Sequence, residues 1–552
     1  MSRPTFSSVR DDCPSSKATP KTIFQTAIST GVILMPLLAI TQEGSVMPAI
    51  TNPLVIGMAS LLLVMLVTVA DRFLLRSVEM TGLEGNAANA IDGGLVLCSN
   101  GPGGVVKLSK GFNINIKGKA QSQIKGTLES ATFAVKPVDF HGMAPIPKMM
   151  VEVGQEVKAG DGLFFDKNRP DVLFTSPVSG EVAAITRGAK RAIVEVVVLA
   201  DNNMNCKAFS AGNPQNLSRD QIKETMLESG AWTLMRQRPY NMLADQEVVP
   251  KAIHVSGFNS GPLATDLNLA LEGKDAAFQA GLHALGKLTD GKVHLNLNAA
   301  TNACSALANA KDVVVTKFQG KHPAGTVGVQ IHHIDPINKG DHVWTMAAQD
   351  VATLGTLFLE GKYSPERVVN VAGPEVKNPH YVKTWLGANI ENLVKDNLAT
   401  DNVRYISGSV LTGRKIEPNG HLCFFDDQVS VIQEGDFHEF IGWLVPSYGR
   451  PSLSRTFLSA LSGSKEFRVN TNTHGEDRAF VMTGQYEQVL PMDIYPVHLL
   501  KSILFGDLDQ MEGLGLYEVV EEDMALCEFV CTSKQPVQKI LREGMEIMIE
   551  QT

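Results

Sequence analysis

The chain has 552 residues, enough for three or four domains with their own cores. Its formal net charge of -9, with no long basic run, excludes nucleic acid as the main partner, since that role needs a basic face or stripe. Seven scattered cysteines, an odd number without framework spacing, exclude a disulfide scaffold and fit a reducing compartment.

Residues 1–104 differ in texture from the rest. Ile23 to Ile40 carries no charge, and Leu54 to Ala70 is an uncharged run dominated by Leu, Val, Met and Ile, so both approach the length needed to cross a bilayer. Lys17 and Lys21 precede the first run, Arg72 and Arg76 follow the second, and only Glu43 is charged between them. The positive-inside rule then places both ends in the cytoplasm, giving an N-terminal extension with a candidate transmembrane helical hairpin. A Gly/Asn/Ala-rich linker, Gly82 to Gly104, follows.

From Val105 the chain turns to short β-like runs. "VEVGQEVKAGDGLFF" (Val151 to Phe165) and "SPVSGEVAAI" (Ser176 to Ile185) alternate apolar residues with Gly turns, which predicts a barrel-sandwich of the biotinyl/lipoyl hammerhead type over 105–205. The hairpin tip reads "DKNRPD" and lacks the carrier motif, so Lys167 is expected to be a solvated turn residue.

Over 206–366 strand and helix signals alternate. A helix is expected from Leu217 to Gly230, with Ile222, Met226 and Leu227 on one face. Strands are expected at Ala252–Phe258, Lys292–Leu297 and Val313–Phe318, and helical periodicity at Leu263–Leu288 and Val343–Glu360. That order predicts a Rossmann-like α/β sheet. The chain after the first strand reads "SGFNSGPLATD", which is no G-x-G-x-x-G, so this domain is not expected to bind NADH. Residues 367–482 begin with a strand, turn, strand and short helix (Val371 to Leu398), the order of a β-grasp, SLBB-like module, and continue β-rich. Residues 483–552 read as helical, with Glu518, Glu521, Glu522 and Asp523 expected on a solvated face.

Three constellations carry chemistry. In "GKHPAGTVGVQIHHIDP" (Gly320 to Pro336), a strand at Val329–Ile334 would send His332 and His333 to opposite faces, which disfavours a shared metal, and Pro323 weakens a phosphate cradle. His322, Pro323, Gly325, His332, His333 and Asp335 are therefore read as a rigid loop at a sheet end, and no metal is expected. "GAWTLMRQRPY" offers flat faces on Trp232 and Tyr240 and forked donors on Arg236 and Arg238, which suits a head group with an aromatic face and two carbonyls, such as a quinone. On the residues alone, an interdomain hinge with these arginines paired to carboxylates is the favoured reading. Cys527 and Cys531 in "LCEFVC" share a helical face and read as half-buried thiols, too few to hold an iron–sulfur cluster alone.

"SKGFNINIKGKA", "VGQEVKAGDGLFFDK", "ESGAWTLMRQRPY", "GKHPAGTVGVQIHHIDP", "QDVATLGTLFLEGKY", "RVVNVAGPEVKNP", "ISGSVLTG" and "LCEFVC" occur in the order seen in the NqrA family of the sodium-translocating NADH:quinone reductases, and from Val105 to Thr552 the chain resembles that family. The family is similar to the C subunit of the Rnf complex, whose cysteine-rich cluster motifs this chain lacks; Cys527 and Cys531 look like a remnant of them. The resemblance implies a subunit on the cytoplasmic face of the bacterial inner membrane, in a six-subunit respiratory complex that oxidises NADH, reduces ubiquinone and exports sodium. It implies no tightly bound cofactor here, with NADH and flavins in partner subunits and ubiquinone as substrate. On that reading Trp232 to Tyr240, with Gly142 and Met143, border a quinone pocket in which Arg236 or Arg238 holds a carbonyl; a purely structural docking subunit is the alternative. The family usually begins near Val105, so residues 1–104 depart from it.

Overall fold

The computed structural model describes residues 104–551 except 128, 129, 202, 441, 443–447, 455, 456, 458 and 460–465. The hairpin expected between Ile23 and Ala70 lies outside the described residues. Among the described residues no helix is long and apolar enough to cross a membrane.

The barrel-sandwich forms from a four-stranded sheet and a three-stranded one. The expected hairpin pairs Gly162–Asp166 with Arg169–Thr175, leaving Lys167 and Asn168 at its tip. Alternation along these strands buries Phe164 and Phe174, whose rings stack at 4.8 Å. The first residues of this region pair outside the barrel-sandwich sheets. Strand β1 (Val105–Lys107) is instead the edge of the α/β sheet, and Ile124–Thr127 is the edge of a third sheet. Two short runs with few apolar residues find their partners only through tertiary pairing, which no local pattern announces.

Helix α1 (Arg219–Ser229) starts at a Ser218/Gln221 capping box and stops at Gly230 in the left-handed region. Then come β2 (Arg236–Arg238), β3 (Met242–Leu243), β4 (Ala252–Ser256), α2 (Asp275–Leu288), β5 (Lys292–Asn298), β6 (Val314–Gln319), α3 (Val327–Ile334), β7 (Val343–Ala347) and α4 (Ala348–Glu360). They build one seven-stranded sheet in the order β1-β6-β5-β4-β7-β2-β3, parallel from β6 to β7 and antiparallel at β2 and β3. One expectation fails here. Val343–Ala347 is a strand, not the start of the helix, because it is buried on both faces and runs into α4 without a polar or Gly break.

Helices α2 and α4 cross at Gly281 and Gly355. A Cβ built on Gly355 would overlap the carbonyl oxygen of Ala277, and one on Gly281 that of Val351. Gly355→Ala must therefore push two backbones apart, and a loss of about 2–3 kcal/mol is expected in urea melts of the purified chain.

The third sheet orders β11 (Arg414–Ile416), β10 (Val403–Ser407), β12 (Gln428–Gln433), β8 (Glu366–Ala372), β9 (His380–Trp385) and Ile124–Thr127. Its apolar face joins the core of the other two domains, so a single buried cluster runs from Phe133 to Val431. The C-terminal helices, among them α5 (Pro496–Phe505), α6 (Glu521–Val530) and α7 (Val537–Gln551), form a second core that takes in Val327, Val329 and Ile331 of α3. Cys527 and Cys531 are buried in it, with the Tyr486 hydroxyl donating to Cys531 Sγ at 2.9 Å.

Candidate functional site

In the parallel part of the sheet β5 lies on one side of β4 and β7 on the other, so successive crossovers leave in opposite directions. The crevice beyond the carboxyl ends of β4 and β7 is the topological switch point, where open α/β sheets bind ligands. A cavity of about 430 Å³ opens there. Ser256, Thr345 and the uncapped start of α4 at Ala348 and Gln349 form its floor, and Phe140, His141, Phe425, Asp426, Glu521 and Glu522 enclose it from the other domains.

Arg236, Arg367 and Arg414 line this cavity. Arg367 is bound to Asp350 and Arg414 to Asp139. Arg236 alone of the three makes no salt bridge among the described residues, though its charge acts on the nearby Asp350; its guanidinium lies 5.0 Å above the Phe425 ring. Asp426, half-buried in the wall, accepts a 2.6 Å hydrogen bond from Ser407, and desolvation pushes its carboxyl up to about 6.

The His322 loop reaches the same cavity. Ser260 Oγ accepts from the Gly325 amide at 2.8 Å and lies within hydrogen-bond distance of His322 Nδ1, 3.1 Å away. In the tautomer that accepts the Ser260 proton at Nδ1, His322 carries its own proton on Nε2, an atom that is buried and without a hydrogen-bond partner among the described residues. Burial holds this imidazole neutral by lowering it to about 4. Gly325 is required because a Cβ would overlap the Ser260 amide. His141, on the facing wall, is also pushed down to about 4, by burial first and then by the nearby Arg542 charge.

The rest of that motif turns away. Val327–Ile334 is helix α3, not a strand: it is packed between the sheet and the C-terminal helices, so apolar residues occur all round it and the 3.6-residue period is hidden. His332 Nδ1 donates to Glu518 at 2.6 Å, His333 Nε2 donates to the Pro491 carbonyl at 2.7 Å, and Asp335 pairs with Lys251 at 2.7 Å. The acidic run is likewise not a solvated face. Glu518 meets His332, Glu521 meets Arg542, and Glu522 and Asp523 both meet Arg238.

Of the six residues expected around a quinone, only Arg236 lines the cavity. Trp232 is buried, donates Nε1–H to the Ala244 carbonyl at 2.9 Å and packs edge-on to Trp344. Arg238 is 1% exposed and committed to two carboxylates, so neither offers a face to a ligand. Tyr240 packs against Tyr517, and its carbonyl accepts from Arg542. Gly142 makes room for Met242 and Met143 packs on the core; both flank His141, which does line the site. Alternation puts Arg236 and Arg238 on the same face of β2, so what separates them is their place along the strand, one at the cavity and one under α6. Phe425, Thr345 and His141 were missed. The only hint for the first is the aromatic-acidic juxtaposition in "CFFDDQ".

Three family models match the chain: the NqrA N-terminal barrel-sandwich hybrid domain over residues 106–201, the NqrA second alpha/beta domain over 217–363 and the NQRA C-terminal domain over 368–417. The chain is 40% identical over 445 residues to the NqrA subunit of the Na(+)-translocating NADH-quinone reductase of Saccharophagus degradans, covering 80% of this chain and 98% of that one. It is 39% identical to the protein of the same name from Hahella chejuensis (80% and 98% covered) and 38% identical to that from Vibrio atlanticus (80% and 99%). A solved NAD+-reducing [NiFe]-hydrogenase superposes with a TM-score of 0.31 at 11% identity over 62% of each chain, a likeness too loose to bear on the fold.

Proposed function

Because the chain belongs to the NqrA family of the Na(+)-translocating NADH-quinone reductases, we propose that it is a peripheral subunit on the cytoplasmic face of that six-subunit membrane complex and seats the quinone head group in the switch-point cavity. The complex oxidises NADH, reduces ubiquinone and exports sodium; NADH and the flavins belong to partner subunits on this reading, and ubiquinone is the ligand here. The loop after β4 supports that division, since it carries no dinucleotide fingerprint.

The observation that carries the reading is the Arg236 guanidinium, held over Phe425 at the cavity and without a salt bridge among the described residues. A forked donor beside an aromatic face suits a planar ring with carbonyl oxygens. The His322 Nε2–H is a second, neutral donor in the same wall. Charge on a reduced quinone oxygen is better stabilised by Arg236 than the neutral carbonyl is, so the arrangement favours reduction.

In the purified complex, Arg236→Ala is expected to raise the KM for quinone about tenfold or more, the loss of one charged hydrogen bond. NADH oxidation by an artificial acceptor should not change. An unaltered quinone KM and kcat would overturn the site. That result would favour a purely structural docking role, a reading to which the internal commitments of Trp232 and Arg238 lend weight.

A further inference from the structure

Partners in register on neighbouring strands point to the same face of a sheet, about 4.8 Å apart. Arg236 is paired in register with Thr345, Thr345 with His254, and His254 with His294. These four side chains form one row across β2, β7, β4 and β5. The His254 and His294 rings stack at 4.6 Å, 10° from parallel. One end of the row, Arg236 and Thr345, lines the cavity, and the other, His294, is partly exposed to solvent.

The polar atoms of this row have no partners. Thr345 Oγ1, both ring nitrogens of His254 and Nδ1 of His294 are buried without a hydrogen bond among the described residues. The next row on the same face is hydrogen-bonded along its length, with only Asn296 Oδ1 left open among the described residues. There Asn296 donates to Gln330 at 2.9 Å, and Gln330 donates to Ser256 at 2.9 Å. Four open atoms in succession, beside a row knitted together by Gln330, require another explanation, and buried water between them is the simplest. The charged groups around the row are Lys251 and Lys292 on the strands, Asp335 after α3, and the Arg238–Asp523 pair where α6 covers β2.

We infer that this row is the proton inlet of the cavity: protons enter from solvent at His294, pass through His254 and the Thr345 hydroxyl with water between them, and end on the quinone oxygens. The inference rests on the quinone reading. Reduction to the quinol takes two electrons, from NADH through the partner subunits, and two protons, one forming an O–H bond at each oxygen. Guanidinium groups do not give up protons in proteins, so Arg236 cannot be the source. A neutral imidazole can, taking a proton on one nitrogen and releasing another from its second. No bond of the protein is changed at the end of the cycle.

The test uses His254→Phe, which keeps a flat ring against His294, and Thr345→Val, which keeps the shape without the hydroxyl, both in the purified complex. Quinone reduction is expected to slow about tenfold in each, with a larger solvent isotope effect and a shifted pH–rate profile, and in His254→Phe, which lies behind the cavity wall, with an unchanged quinone KM. Parent-like rates and isotope effects in both variants overturn the relay; if His254→Phe does not assemble, Thr345→Val decides alone. Arg236→Ala separates the two ideas. A raised quinone KM there, with unaltered proton kinetics in the row variants, removes the relay and keeps the site, while an unaltered KM removes the site and the relay with it.

Discussion

Arg238→Ala is expected to lower the stability of the folded chain by about 3–5 kcal/mol, the cost of leaving a buried charge without its partner. Arg238 Nη1 is 3.1 Å from Asp523 Oδ2 and Nη2 is 2.5 Å from Glu522 Oε1. Asp523 is 1% exposed and packs so closely against α3 that a Cβ on Gly328 would overlap its carboxylate. Desolvation already pushes this carboxyl up, against the pull of Arg238, and without the guanidinium the Val520 amide is the one donor left to it among the described residues. The pair also joins β2 to α6, across a separation of 285 residues, so its loss loosens the C-terminal helices from the sheet. Urea denaturation of the purified chain measures the effect. A double variant, Arg238→Met with Asp523→Leu, should recover most of the loss, because an apolar pair of similar volume needs no compensation. A loss below about 1 kcal/mol in Arg238→Ala would show that water reaches Asp523.

The same pair shows where sequence reading stops. Local signals were sufficient for α1, whose cap residues Ser218 and Gly230 bracket the apolar face of Ile222 and Met226, and for the Gly-punctuated hairpins of the barrel-sandwich. The α/β alternation was legible because β4, β5 and β6 are apolar runs separated by helical periodicity. It failed at Val343–Ala347 and at α3, where burial on both sides removes the very contrast that periodicity depends on. The site was legible only in part. Arg236 stood out as a forked donor, but nothing in "MRQRPY" says which arginine meets Glu522, nor that Phe425 arrives beneath the other one from 189 positions later in the chain. His322 belonged to a conspicuous motif, yet its role depends on Ser260 and on a cavity built by three domains.

Acid is expected to remove the stability that a neutral His322 supplies. An exposed histidine titrates near 6.5, whereas burial holds His322 to about 4, so in the acid range the unfolded chain binds a proton that the folded chain refuses. The contribution of His322 to stability is therefore complete above pH 6.5 and is lost as pH falls through the interval down to about 4. The full loss is about 3 kcal/mol at 1.36 kcal/mol per pH unit. Other groups titrate in the same range: Asp426, raised to about 6, works in the opposite sense. The quantity to measure is thus a difference, the stability of the parent chain minus that of His322→Gln, by urea melts between pH 7 and pH 4. The parent should lose about 3 kcal/mol relative to the variant over that range; parallel curves would mean that the imidazole accepts its proton in the folded state. The neutral form matters to the cavity because a neutral Nε2–H donates without adding charge. Arg236 is then the one unpaired positive group at the ligand among the described residues, and the preference for a reduced, negatively charged oxygen is concentrated at a single end of the site.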